Sequence, residues 1–355
     1  MDLKSIRSLQ EELSNLIGVS GYEGDVSRLI MEIIEKEALA DKAWIDSLGN
    51  VLAIKKGSNE KDRILLDAHT DEIGFMISHI ENDGFLRFVP VGGWDTRILP
   101  GQAVVIRSKT GEIFHGIIGS KPPHLTTIEE RQKLIEIPEM YIDIGMSSVE
   151  EVSNNNITIG VVGTLFSPFV DFPNNMIRGK AFDDRTGVNV LIHTLRLLNE
   201  DPSFNDTVLF NFAVQEEIGG RGAITGAYNL KPTLALAIEN TTAADVPGIS
   251  EAEVPAYIGR GPAITIADKS IITSPKVNER LVKNAELNKI PYQFKKPMYG
   301  GTDAGKIHIS REGVSSSVVS VPCRYIHSPT SLLNLEDILK TVMLMKAFIV
   351  NSAKV

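Results

Sequence analysis

Apolar residues recur at helical spacing in two blocks at the start of the chain. Leu9, Leu13, Leu16 and Ile17 share one face. After the break Ser20-Gly21-Tyr22-Glu23-Gly24-Asp25, the residues Val26, Leu29, Ile30, Ile33 and Ile34 share another, which predicts two helices by residue 36. Two short apolar runs follow, Val51–Ile54 and Ile64–Ala68. Both read as strands, the second aliphatic enough to be buried on both faces. From about residue 73 to 165 the pattern changes: apolar runs alternate with hairpin-type turns at Asn82-Asp83-Gly84 and Lys109-Thr110-Gly111, and no long helical period appears. Beyond Asp184 the alternation of helix and strand resumes. The spacing predicts helices over Val188–Leu198, Ala223–Leu230, Asn278–Leu287 and Glu336–Val350, and strands over Val208–Val214, Leu234–Ile238 and Ser317–Val321. The expected organisation is one α/β domain, residues 1–72 and 166–355, interrupted by a small β domain at 73–165.

Composition narrows the function classes. The chain has 355 residues, 43% hydrophobic and 23% charged, which is ordinary globular usage. No apolar run is long enough for a membrane span, and Met1-Asp2-Leu3-Lys4 has no signal-peptide core, so a cytoplasmic protein is expected. A net charge of −9 disfavours nucleic acid and anionic membranes as partners, and one cysteine, Cys323, excludes a disulfide framework or a thiolate-rich zinc site.

Acidic residues and histidines then stand out by position. Strand Ile64–Ala68 runs into His69-Thr70-Asp71-Glu72, strand Val208–Val214 into Gln215-Glu216-Glu217, and strand Leu234–Ile238 into Glu239. Strand Ser317–Val321 leads to His327, and Asp183-Asp184 precedes a helix. Ligands of open α/β sheets bind outside the carboxyl ends of the strands, where these residues can converge. Two imidazoles and several carboxylates suit zinc, cobalt or manganese. A pair of such ions about 3.5–4 Å apart needs a bridging carboxylate and a further carboxylate to take a proton from water. Each feature alone has an ordinary structural role. A strand-end His is commonly a hydrogen-bonded residue, Asp183-Asp184 a helix N-cap, and Glu216-Glu217 a solvated helix start. Gly300-Gly301-Thr302-Asp303-Ala304-Gly305-Lys306 imitates a phosphate-binding loop, but Ile307 stands where a hydroxyl must meet magnesium.

Five segments occur in one order: Ala68-His69-Thr70-Asp71-Glu72-Ile73-Gly74-Phe75, Ala181-Phe182-Asp183-Asp184-Arg185, Gln215-Glu216-Glu217-Ile218-Gly219, Gly300-Gly301-Thr302-Asp303-Ala304-Gly305 and Arg324-Tyr325-Ile326-His327-Ser328-Pro329. With them the chain resembles the glutamyl and deblocking aminopeptidases, the tetrahedral or TET metallopeptidases, over nearly its whole length. The resemblance implies a zinc-peptidase-like α/β/α sandwich carrying a β-barrel-like insertion. It also implies two divalent metal ions per subunit, zinc or cobalt with manganese an alternative. His69 and Glu239 would hold one ion and Glu217 and His327 the other, with Asp183 bridging, Glu216 as general base and Asp71 orienting His69. Gly301 and Thr302 would line the substrate cleft. Peptides with a free amino terminus would be the substrates, and dimers joining into a dodecamer the assembly, with the insertion mediating contacts or access. Thr70 and Glu239 stand where Met and Asp are commoner in the family. Three other readings share these residues: an acyl-amino acid deacylase or dipeptidase on the same centre, a non-catalytic assembly protein, and an endoglucanase. A glycosidase needs two carboxylates about a sugar and no metal, which His69 and His327 argue against.

Overall fold

The computed structural model describes residues 2–201, 203–296 and 299–351. At its centre four parallel strands lie in the order Asp206–Ala213, Asn59–His69, Leu234–Thr242 and Ser315–Arg324. Strands Val51–Lys55 and Lys42–Ile45 extend one side. Ser331–Asn334, Met176–Gly179 and Val170–Phe172 extend the other, completing with two further short strands an eleven-stranded sheet. Asp206–Ala213 is buried along its whole length, as expected for a strand covered on both faces.

Alternation along these strands sorts the side chains. Leu66, Ala68, Phe210, Phe212, Leu236, Ile238, Val319 and Val321 join one large core with the helices Leu3–Asn15, Gly24–Lys36, Phe182–Glu200 and Leu335–Val350. Leu65, Leu209 and Ala235, aligned across three strands, pack with Ala223, Ala227 and Leu230 of helix Arg221–Leu230. Truncating a fully buried ring such as Phe210 or Phe212 to Ala costs about 3–5 kcal/mol in such a core. The first helix starts where the Asp2 carboxylate accepts from the Ser5 amide at 2.8 Å, and its apolar face, Ile6, Leu9 and Leu13, is buried.

The β-rich stretch closes on itself. Strands Gly74–Ile80, Leu86–Val91, Tyr141–Asp143, Ile113–Gly119, Ala103–Arg107 and Val162–Leu165 pair in that order, and Phe75 opposite Gly163 completes a six-stranded barrel. Phe75, Ile77, Leu86, Phe88, Val104, Ile106, Ile118 and Ile142 fill it. At the first hairpin Gly84 has φ +87°, and a Cβ there would lie 2.3 Å from the Met146 carbonyl oxygen, so the turn requires glycine. The barrel departs from the sheet just after His69 and is fastened at that point. Glu72 accepts from Lys180 Nζ at 2.8 and 2.9 Å, from the Gly18 amide at 3.0 Å and from Thr164 Oγ1 at 3.1 Å. Among the described residues no helix is long and apolar enough to cross a membrane.

Candidate metal centre

Register brings the first two groups together. Strands Asn59–His69 and Leu234–Thr242 pair up to Asp67 opposite Ala237, so two residues further on His69 and Glu239 stand side by side. Their His69 Nε2 and Glu239 Oε2 atoms are 3.8 Å apart, and His69 Nε2 is 3.3 Å from Asp183 Oδ1. Asp183 turns its other oxygen toward His327, at 3.5 Å from Nε2, and His327 Nε2 is 3.3 Å from Glu217 Oε1. Two sets of donors result, His69 with Asp183 and Glu239, and Asp183 with Glu217 and His327, joined through Asp183.

Local structure explains each position. Asp183 and Asp184 keep non-helical backbone angles at the start of helix Phe182–Glu200, and Asp184 Oδ1 accepts from the Gly187 amide at 3.0 Å. Asp184 therefore caps the helix while Asp183 is left facing the histidines. Gln215 and His327 both adopt left-handed angles, φ +60° and +57°, at the tight exits from their strands. Arg324 anchors the segment before His327 through a bidentate pair with Asp245 at 2.7 and 2.8 Å.

The imidazoles are oriented from behind. His69 Nδ1 lies 3.2 Å from the Asp71 carbonyl oxygen and 3.4 Å from Asp71 Oδ1, while His327 Nδ1 lies 3.1 Å from the Gly93 carbonyl oxygen. Both contacts leave Nε2 free to face the carboxylates, the arrangement that metal-binding histidines ordinarily show. The Asp71 carboxylate also accepts from the Glu216 amide at 2.9 Å, the Glu217 amide at 3.1 Å and Ser20 Oγ at 2.6 Å. One buried acid thus fixes His69 and the Glu216–Glu217 turn relative to each other.

Charge at the centre is frustrated in the protein alone. Burial drives Glu217 and Glu239 upward, Glu239 well above the usual carboxylate range. Burial, with Glu217, Asp71 and Asp183 adding to it, pushes Glu216 up to about 8. Burial opposes charge on the histidines, yet Asp183 and Asp71 outweigh it at His69, and Asp183 and Glu217 raise His327 to about 11. Asp183 is desolvated too, but His327 and His69 hold it well below its usual range. The carboxylates demand positive charge, and a divalent cation meets that demand better than two imidazolium protons. The spacing agrees: two ligands bound at about 2.1 Å to a tetrahedral ion lie about 3.4 Å apart. The donor set therefore fits a pair of metal ions.

Every site residue expected from the sequence lies at this centre or on its cleft. The cleft, about 470 Å³, is lined by the metal-site residues and Glu216 together with Lys295, Tyr299, Gly301 and Thr302. Thr302 Oγ1 is engaged with Asp268 Oδ2 at 3.1 Å, and the Asp303 amide donates to Glu239 Oε1 at 3.0 Å. The loop that imitates a phosphate site is therefore a cleft wall that braces Glu239. Glu239 itself is not a strand terminus. The strand runs on to Thr242, because Asn240–Thr242 keep pairing with Val321–Cys323. Sequence reasoning passed over Ser20, Glu23, Gly93 and Lys295. Two of these stand in the charged break between the first two helices. Glu23 Oε1 accepts from the Gln215 amide at 3.0 Å, and burial, reinforced by Asp71, raises Glu23 to about 7.

Known proteins resemble this chain over nearly its whole length. The profile of the M42 glutamyl aminopeptidase family matches residues 49–344. An aminopeptidase of the archaeon Desulfurococcus kamchatkensis superposes with a TM-score of 0.93 at 42% identity, over 98% of this chain and 95% of its own. The TET1 peptidase of Pyrococcus horikoshii, which can assemble into a tetrahedron or a large octahedral shell, superposes with a TM-score of 0.85 at 32% identity over 97% and 99% of the two chains. The lysyl aminopeptidase of Pyrococcus furiosus is 33% identical over 344 residues, 96% of each chain.

Proposed function

This chain belongs to the M42 glutamyl aminopeptidase family, and from that premise we propose that it cleaves peptides at their amino termini with two divalent metal ions held by the centre described above. The observation that carries the metal reading is the doubly facing Asp183, 3.3 Å from one histidine and 3.5 Å from the other. His69, Asp183 and Glu239 would hold one ion, and Asp183, Glu217 and His327 the other. Zinc or cobalt suits this nitrogen and oxygen donor set, with manganese next. When bound, the ions would supply an acidified water and polarise the scissile carbonyl.

Glu216 belongs to neither donor set and faces the cleft, so its carboxylate accepts the water proton and passes it to the departing amine. Asp71 holds the amides of Glu216 and Glu217 and the ring of His69, which fixes base and ligands in one frame. The free α-amino group of the peptide needs an acceptor, and acidic residues near the metals supply it, which limits attack to the first peptide bond.

The inserted barrel joins copies of the chain. Its segment between Pro122 and Glu139 exposes Leu125, Ile128 and Leu134, each more than 60% accessible, and apolar side chains presented this way favour a protein contact. Light scattering is expected to give a mass well above the 38.8 kDa of one chain, and a strict monomer at micromolar concentration contradicts assembly.

Aminoacyl-chromophore substrates assayed with zinc, cobalt and manganese test the whole reading, with an acetylated peptide as control. Hydrolysis that needs metal, is abolished by a chelator and ignores the acetylated peptide is the expected result. Cleavage of the acetylated peptide would point to deacylation instead, and full activity in metal-free protein would overturn the mechanism.

A further inference from the structure

Glu216 stands on a turn that two buried acids hold. Among the described residues no hydrogen bond or ion pair grips the Glu216 carboxylate, so its aim is set by the main chain of residues 215–217. That main chain donates three consecutive amides: Gln215 to Glu23 Oε1 at 3.0 Å, Glu216 to Asp71 Oδ1 at 2.9 Å and Glu217 to Asp71 Oδ2 at 3.1 Å. Asp71 is tied to the metal centre through His69. Glu23 comes from elsewhere, the residue before helix Gly24–Lys36 in the break between the first two helices, and it is buried.

The Glu23 bond falls on the residue of the turn that least favours its own conformation. Gln215 has φ +60°, the left-handed region in which a side chain crowds the following carbonyl. Its other bonds are longer: the Gln215 carbonyl accepts from the Arg221 amide at 3.2 Å, and its side-chain oxygen from Arg221 Nη1 at 3.3 Å. Glu23 Oε1 is itself fixed, since it also accepts from the Gly21 amide at 2.7 Å. The break is docked on the neighbouring strand exit, where the Glu72 amide donates to the Gly18 carbonyl at 2.9 Å and Ser20 Oγ donates to Asp71 Oδ2 at 2.6 Å. A carboxyl is costly to bury beside another acid, and the two amides that Glu23 receives offset that cost.

We propose that Glu23 is a positioning residue for the general base: by accepting the Gln215 amide it holds Gln215 in the left-handed turn that aims Glu216 at the cleft. This rests on the reading of Glu216 as the base. Glu23 belongs to neither donor set and does not line the cleft, so it acts through the main chain alone. Asp71 keeps its hold on His69 and on the Glu217 amide without it. Loss of the Glu23 acceptor therefore slows turnover while peptide and metal binding persist.

Glu23→Met and Glu23→Gln fill similar space and differ in the acceptor oxygen. With metal-loaded enzyme and an aminoacyl chromophore, Glu23→Met should lower kcat roughly 10–100-fold, the effect of misplacing a catalytic group by about 1 Å, while KM stays within about two-fold. Metal content should be unchanged. Glu23→Gln should stay within about three-fold of the wild-type kcat, because its amide oxygen still accepts. Glycine adopts a left-handed φ without penalty, so the double variant Glu23→Met/Gln215→Gly should recover most of the lost kcat, which a general loss of packing would not allow. Thermal unfolding is measured for every variant, and Glu23→Ala takes the place of Glu23→Met if the latter does not fold. A wild-type kcat in Glu23→Met, equal losses in the Met and Gln variants, or a loss that Gln215→Gly leaves untouched overturns the role of Glu23 and leaves the base assignment intact. Glu216→Gln is the reference: a wild-type rate in that variant overturns the base assignment and the role of Glu23 with it.

Discussion

The Nδ1 of His327 donates a hydrogen bond at 3.1 Å to the carbonyl oxygen of Gly93, a residue 234 positions earlier in the chain and part of the inserted barrel. The carbonyl can only accept, so this contact fixes the tautomer of His327 and aims Nε2 at Asp183 and Glu217. The inserted domain therefore supports a ligand of one of the two donor sets.

The space around that contact makes it testable. A Cβ on Gly93 would sit 3.3 Å from His327 Nδ1 and 3.7 Å from its Cε1, tight enough to displace the ring. Gly93→Ala is expected to weaken the ion held by Asp183, Glu217 and His327 by roughly 10–100-fold, the usual cost of disturbing a ligand's supporting contact. The ion at His69 should be unaffected. Calorimetric metal titration resolves the two, and equal affinities in variant and wild type would show that the Gly93 contact does not position the ring.

Glu216 and Glu217 are neighbours with separate expected roles. Glu216→Gln should retain both ions and lower kcat by roughly 10²–10⁴, the customary contribution of a general base. Glu217→Gln should release one ion and raise the metal concentration needed for activity. Identical metal content and identical rates in the two variants would mean that base and ligand have been assigned wrongly.

Much of this centre was legible in the sequence because the sheet is parallel. Strands that run the same way deliver their exits to one edge, so His69, Glu216, Glu217, Glu239 and His327 needed no knowledge of the turns to be grouped. Strand ends were less legible: Asn240, Thr241 and Thr242 are polar, yet they continue the ladder because Val321–Cys323 remain alongside. Gly93 acts through a main-chain oxygen, which no side-chain pattern records. Lys295 lies in a strand of three residues with one exposed and one half-buried neighbour, too short for any period to emerge. Ser20 and Glu23 looked like a helix break, and their buried contacts with Asp71 and the Gln215 amide exist only after folding.

His193 offers a test of the fold apart from the site. It is 1% exposed within helix Phe182–Glu200, and its Nε2 has no hydrogen-bond partner among the described residues. Burial, with Arg196 adding to it, holds its pKa down to about 4, against about 6.5 in an unfolded chain. Between those values the unfolded chain takes up a proton that the folded chain refuses. The contribution of His193 is therefore complete above pH 6.5 and is lost as pH falls toward 4, a change of about 2–3 kcal/mol. His193→Met should flatten this part of the acid limb. Urea midpoints at pH 7 and 4.5 compare the two proteins, and an equal loss in both would show that His193 is not the group responsible.

Glu239 gives the most discriminating test, because two contacts compete to explain it. Its side chain is buried, with Oε2 3.8 Å from His69 Nε2 and Oε1 accepting from the Asp303 amide at 3.0 Å. If the first contact matters, Glu239 is a metal ligand. If the second matters, it only braces the loop beside the cleft. Glutamine separates them, since its amide oxygen still accepts from the Asp303 amide while the charge that attracts a cation is gone. Under the ligand assignment both Glu239→Gln and Glu239→Ala reduce bound metal from about two ions toward one per subunit. The loss should fall on the His69 site, as it does in His69→Ala. Under the bracing assignment Glu239→Gln keeps both ions and most activity, and only Glu239→Ala is impaired. A carboxylate taken out of water without a cation costs several kcal/mol, so the apo form of Glu239→Gln should also unfold at higher temperature than the apo wild type. Two tightly bound ions and a wild-type rate in Glu239→Gln would remove Glu239 from the donor set and leave His69 and Asp183 to hold that ion with other groups.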